Sequence, residues 1–167
     1  RLETAGLVQL PELRARPPRL ARQPVPPAAA AGSEAPLCGS LSALGTVHLE
    51  VVHAPEQVVQ WKRALARHHP LGERGGFRYR LRYFIVAGER RLGCVMLAGA
   101  VRALAVRDAW IGWDALRRSA NLMRVLNNNR FLIFPQVQVP HLASHVLGQL
   151  ARRVAADWRR HWGFTPL

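Results

Sequence analysis

Lysine is nearly absent from this chain: Lys62 stands alone among 24 basic side chains, the other 23 being arginine. Acidic residues are scarce as well, ten against those 24, which leaves a net charge of +14 at pH 7. A GC-rich coding sequence explains arginine in place of lysine, and the wealth of Ala, Pro, Gly and Val, but not the shortage of Asp and Glu. A surplus of that size creates a positive potential that draws polyanions, and nucleic acid is the first partner it suggests. Cysteine is limited to Cys38 and Cys94, far apart and without ligand spacing, so neither a disulfide framework nor a Cys-based zinc site is expected. A reducing, cytoplasmic setting is the default expectation. No stretch of 18 or more uninterrupted apolar residues occurs, and Arg or Lys punctuates nearly every segment, so no membrane-spanning helix is expected. No charged-then-apolar leader opens the chain; Arg1 reads as a cut end. HExxH and Walker patterns are missing, which disfavours a metalloprotease and a P-loop NTPase, and no metal site is expected.

What is present is enough for one compact domain and a tail, 167 residues with 49% hydrophobic content. Seven of the 12 prolines fall in the first 36 residues, and 17–36 is almost entirely Pro, Ala and Arg, a linker composition that builds no core. Before it, residues 1–16 read as a helix end at Gly6 followed by a strand, Leu7 to Leu10, and basic Arg14 and Arg16. That order fits the remnant of a winged-helix module, although any helix-to-strand connection has it too. The body, 37–167, carries 19 basic and 7 acidic groups, so the basic surface belongs to the folded part.

Within the body, Thr46 to Val52 alternates apolar and polar residues as a half-buried strand does. Pro55 opens a helix to about Arg67 with Val58, Trp61 and Leu65 on one face. Strands Tyr79 to Ala87 and Arg91 to about Val101 form an antiparallel hairpin around Gly88. Residues 107–113 read as an aromatic link in which Trp110 and Trp113 seal the core or, as the alternative, stack on bases, and Asp114 caps a short helix reaching toward Val125. A strand core spans Arg130 to Phe134, and a last helix runs from near Pro140 to about Arg160. The fold class is α/β or α+β, with a mostly antiparallel sheet and flanking helices. The closing Gly163 to Leu167 turn would lead into another strand, so the C-terminal end also reads as cut.

Chemistry is expected first where the Phe134 strand feeds the last helix, because unpaired backbone N–H groups and the helix dipole make a phosphate cradle there. The stretch Gln138-Val139-Pro140-His141-Leu142-Ala143 resembles the acyl-CoA-binding turn of GNAT-type acyltransferases. Gln138 and Ala143 keep that register, while His141 replaces the central glycine. The cofactor site therefore comprises Gln138, His141, Leu142, Ala143 and Ser144, and acyl-CoA is the cofactor the resemblance implies. The order of elements also resembles the GNAT arrangement through its fourth strand and third helix.

A second group, Asn127-Asn128-Asn129-Arg130, gathers amides and a guanidinium before an apolar strand, where they could fix a substrate or form a simple turn. Asp108 lies nearby in this reading, either as a site carboxylate or as the partner of an arginine. His68 and His69 end the first helix; His69 is the candidate general base, with a hydrogen-bonded core histidine as the alternative. His145 completes the catalytic candidates, although Ser144 beside it points about 100° away on a helix and forms no nucleophile–base pair.

Several motifs in a fixed order resemble the DruA family of Druantia anti-phage systems, also met with transposon-like mobile elements. They are Arg107-Asp108, Trp110-Ile111-Gly112-Trp113, Asn127-Asn128, Arg130 to Ile133, Val139-Pro140, Leu142 to Leu147 and Asp157-Trp158. The likeness extends upstream to Leu2–Leu7, Gly39-Ser40-Leu41, His69 and Leu71-Gly72, and so covers nearly the whole chain. It implies a part in anti-phage defence or mobile elements, with other proteins of those systems as partners, and a continuation past Leu167 that completes the domain. Departures at Pro70, Gln136 and His141 touch candidate sites and suit a diverged or decayed copy. Two functions follow as expectations: a DNA-associated protein with a GNAT-like, group-transferring domain, inactive as this fragment, or a non-catalytic basic nucleic-acid-binding module.

Overall fold

The computed structural model describes residues 35–69, 72 and 77–167. The winged-helix reading of 1–16, and the linker reading of 17–36 apart from Ala35 and Pro36, lie outside them. Strands Val47–Val51 (β2), Phe77–Ala87 (β3), Arg90–Gly99 (β4) and Leu126–Ile133 (β5) form an antiparallel sheet in the order β2-β3-β4-β5. A separate pair, Leu37–Cys38 (β1) and Val137–Gln138 (β6), runs parallel. The helices are Pro55–His68 (α1), Ala105–Ile111 (α2), Ala115–Asn121 (α3) and Leu142–Trp162 (α4), with 3-10 turns at Leu41–Leu44 and Leu122–Arg124. The class is thus mixed α+β with a mostly antiparallel sheet, as the periodicities indicate.

Alternation in β2 divides the core. Val47 and Leu49 point to the α4 face, where they join Leu81, Tyr83, Ile85, Val95, Leu97 and, from α4, Leu142, Val146, Leu150 and Trp158. On the other face α1 lays Trp61 and Leu65 against Phe84, Cys94 and Met96. The Trp61 indole Nε1 donates to Tyr83 O at 3.0 Å, so its polar atom is satisfied inside the core. Strand β2 is an edge, and α4 occupies its outward carbonyls: Gln149 Nε2 donates to Val47 O and Arg153 Nη1 to Leu49 O, both at 2.6 Å. Asp157, buried on α4, accepts from Arg153 Nε and from Tyr83 OH at 3.2 Å, which locks the helix to the sheet. Between β4 and β5 the backbones approach so closely at Gly93 that a Cβ there would lie 2.2 Å from Leu132 O.

Three local expectations are corrected. Residues 107–113 are no link: 105–111 form α2, closed by Gly112 in the left-handed region (φ 77). Trp110 does not seal the core but is 88% exposed. On so short a helix, burying the face of Asp108 turns position 110 outward, since the two lie about 200° apart. The Asn127–Asn129 run is neither a turn nor a prelude to the strand. It lies within β5, because β4 extends to Gly99 and supplies pairing partners back to Leu126. Asp114 does cap a helix, accepting from Arg117 N at 2.7 Å, and α3 runs on through the 3-10 turn Leu122–Arg124 to Val125, as expected.

Candidate functional site

Strand β5 carries a bulge. Asn128 stands opposite Leu97 and Arg130 opposite Met96, so Asn129 is the extra residue. In a regular strand residues two apart share a face. The bulge breaks that rule: Asn128 goes to the α4 side with Leu97, and Arg130 to the α1 side with Met96. Arg130 is buried; its Nε donates to Gly72 O at 2.7 Å and its Nη1 to Asn129 O and Oδ1 at 2.6 and 2.9 Å. His69, half-buried at the C-cap of α1, lies within electrostatic reach of that guanidinium. Burial first, and the Arg130 charge second, hold the His69 imidazole below its usual pKa, so it is neutral near pH 7. Neighbouring His68 packs on the Phe134 ring at 5.4 Å.

Asn128, by contrast, lines an apolar groove of about 360 Å³ between β5 and α4, with Leu97, Leu126, Leu147, Leu150 and Val154. Toward the start of α4 the groove's helix meets the cradle proposed from sequence. His141 occupies the N-cap with φ 63 and ψ 0, the left-handed conformation that glycine adopts readily. His141 is exposed. Leu142 is buried, and its N–H donates to Val139 O at 3.3 Å; the first intrahelical bond is His145 N to His141 O at 2.9 Å. Among the described residues the N–H groups of Ala143 and Ser144 have no acceptor, and no side chain caps the helix. Both residues are exposed. Gln138 sits in β6 and its Oε1 faces the Cys38 thiol at 3.9 Å.

The remaining candidates are otherwise engaged. Asp108 is buried, with Oδ1 taking Arg107 Nε and Nη2 at 2.8 and 2.6 Å and Oδ2 lying 3.5 Å from Arg118 Nη1. Its carboxylate clamps α2 to α3. His145 Nε2 lies 2.8 Å from Gln149 Nε2, which also donates to Val47 O, so this imidazole belongs to the α4–β2 contact. Burial pushes the Cys94 thiol up to about 12, which leaves it inert as a nucleophile. Among the described residues no three His, Cys, Asp or Glu side chains gather as metal ligands, and no helix is long and apolar enough to cross a membrane.

The site candidates thus fall into two groups on opposite sides of β5, and the motifs that carry them match a family model described as Druantia protein DruA over residues 26–167. The chain belongs to the DruA family. Membership associates it with anti-phage defence. No curated protein and no solved structure matches it. In this DruA chain one feature escaped the motif reading, a cleft of about 830 Å³ between α1, the β3–β4 hairpin and residues 134–137. Arg63, Arg67, Arg90 and Arg91 line it. The signal was available in the i, i+4 spacing of Arg63 and Arg67 and in the Arg90-Arg91 pair at the hairpin.

Proposed function

We propose that this DruA protein acts in defence by group transfer from a phosphate-bearing donor. The observation that carries the reading is the first turn of α4, where two exposed N–H groups lack acceptors behind a residue held in the glycine conformation. Such a turn suits a pyrophosphate, since N–H groups and the helix dipole both favour negative charge. The apolar groove farther along the same helix, from Leu147 to Val154, suits a donor with a long, weakly polar arm, as in an acyl-CoA thioester, with Gln138, His141, Leu142, Ala143 and Ser144 around the phosphates. Asn128 would meet the arm. The succession of strands and helices, with a bulged strand feeding the cradle helix, supports a GNAT-like architecture.

The acceptor nucleophile would attack the acyl carbon on the α4 side of the sheet and give its proton to solvent, while the carbon–sulfur bond breaks and the thiolate leaves, taking a proton from solvent. His69 and Arg130 lie on the opposite face of β5 from the groove, out of hydrogen-bond reach of that carbon, and have no part in the step. Asp108 and His145 fall out of the chemistry, engaged as they are in the α2–α3 clamp and the α4–β2 contact.

Calorimetric titration of coenzyme A into the full chain and its Ala143→Pro variant tests this. Proline is tolerated in a first helical turn yet removes one N–H. Binding by the wild type, weakened about tenfold in the variant, is the expected result. No binding by the wild type, or equal binding by both, would refute donor capture. A second reading, a nucleic-acid-binding module without catalysis, draws on the arginines of the cleft. Nucleic-acid affinity that survives changes at His69, Asn128 and Arg130, without coenzyme A binding, would favour it.

A further inference from the structure

We infer that the cleft between α1 and the β3–β4 hairpin is the seat of a nucleic-acid phosphate backbone. The inference rests on the nucleic-acid partner of the second reading and is independent of donor binding at α4. Arg63 and Arg67, one helical turn apart, present two guanidiniums from one wall, and Arg90 and Arg91 present two more from the hairpin. Among the described residues Glu89 is the one carboxylate on the lining. Among the described residues, none of the four arginines makes an ion pair. Elsewhere in the domain Arg107, Arg118 and Arg153 each hold an aspartate.

Arg91 is also fixed in place. Its guanidinium lies over the Phe84 ring at 4.1 Å from the centroid, and its Nη1 donates to Gln60 Oε1 at 2.8 Å. Two contacts already hold it, so little side-chain freedom remains to be lost on meeting a ligand. The floor is apolar, formed by Leu37, Ala64, Leu92, Phe134 and Val137. A low-dielectric floor under uncompensated guanidiniums strengthens their attraction for an anion. Guanidiniums match phosphate oxygens in pairs, and four of them spread along an open cleft suit successive phosphates better than one small anion. Among the described residues the lining offers no exposed aromatic ring for base stacking, so contact with the backbone, insensitive to base sequence, is the mode it fits.

Fluorescence anisotropy with a labelled oligonucleotide, single-stranded and duplex, across a salt series provides the test. The variants are Arg63→Ala with Arg67→Ala, the same pair changed to Lys, and, as a charge-matched control, Arg152→Ala with Arg159→Ala on the exposed side of α4. Circular dichroism confirms that each folds. The cleft alanine pair should weaken binding about tenfold and make the salt slope shallower by about one to two, while the lysine pair restores most of the slope and the control pair changes little. No binding by the wild type would overturn the nucleic-acid partner itself. Binding that falls equally in the cleft and control pairs would overturn the cleft and leave only diffuse charge.

Discussion

Where α4 crosses the sheet, its charged and amide side chains are answered within the protein: Gln149 and Arg153 take the carbonyls of the β2 edge, and Asp157 takes Tyr83 OH and Arg153, while the buried indole N–H groups of Trp158 and Trp162 stay without an acceptor. Where α1 crosses the opposite face, fewer apolar residues meet it, and arginines stand at the margin without carboxylates. The first contact spends its polar side chains on holding the fold. The second leaves charge over for something else. The difference teaches that arginine number alone says little here, and that function is to be sought where guanidiniums make no ion pair inside the protein.

That comparison can be broken in several ways. The largest effect should come from Trp158→Ala on the α4 side, which removes a fully buried indole from the larger core and should cost about 3–5 kcal/mol in urea unfolding. Next, Asp157→Asn should cost about 2 kcal/mol, since Arg153 and Tyr83 lose a charged acceptor. If Asp157→Asn were silent, the polar lock on α4 would be no lock. Arg67→Ala in the cleft should change stability by no more than about 0.5 kcal/mol, because no partner is left stranded. A cost comparable to that of Asp157→Asn would erase the contrast between the faces.

Two smaller effects sharpen it. His69 has a lowered pKa in the fold, so the unfolded chain takes up its proton first as pH falls below about 6.5. Its contribution to stability is therefore intact above that pH and lost progressively below it, and Tm followed from pH 8 to pH 5 should decline less steeply in His69→Gln. His161, lowered by burial and then by stacked His53, adds to the same decline and should persist in that variant. Finally, His141→Gly should raise stability by up to about 1 kcal/mol by relieving a left-handed backbone. A loss instead would mean that the imidazole makes a contact worth more than the strain.

Most of the architecture was legible in the chain. Alternation at 47–52, Pro55 opening α1, the turn at Gly88 and the apolar stripe of α4 are local signals, and local signals fix local structure. Facing was harder to read. Asn128 and Arg130 look like neighbours on one face until the bulge at Asn129 separates them, and a bulge depends on the partner strand, which no single segment reports. Trp110 illustrates the same limit, because a buried aspartate held by two arginines outweighed the usual preference of an indole for the interior. The turn at 138–144 was visible as a motif, but its backbone shape was not: the positive φ at His141 is set by the turn, and the residue type does not report it.

The central claim, that the first turn of α4 receives a phosphate-bearing donor, is tested most directly by amide ¹H–¹⁵N shifts of the full chain titrated with coenzyme A. The account predicts saturable movement of the Ala143 and Ser144 cross-peaks, with Leu147 and Asn128 following along the groove. Saturation without movement of Ala143 and Ser144, or no saturable change anywhere, would contradict it.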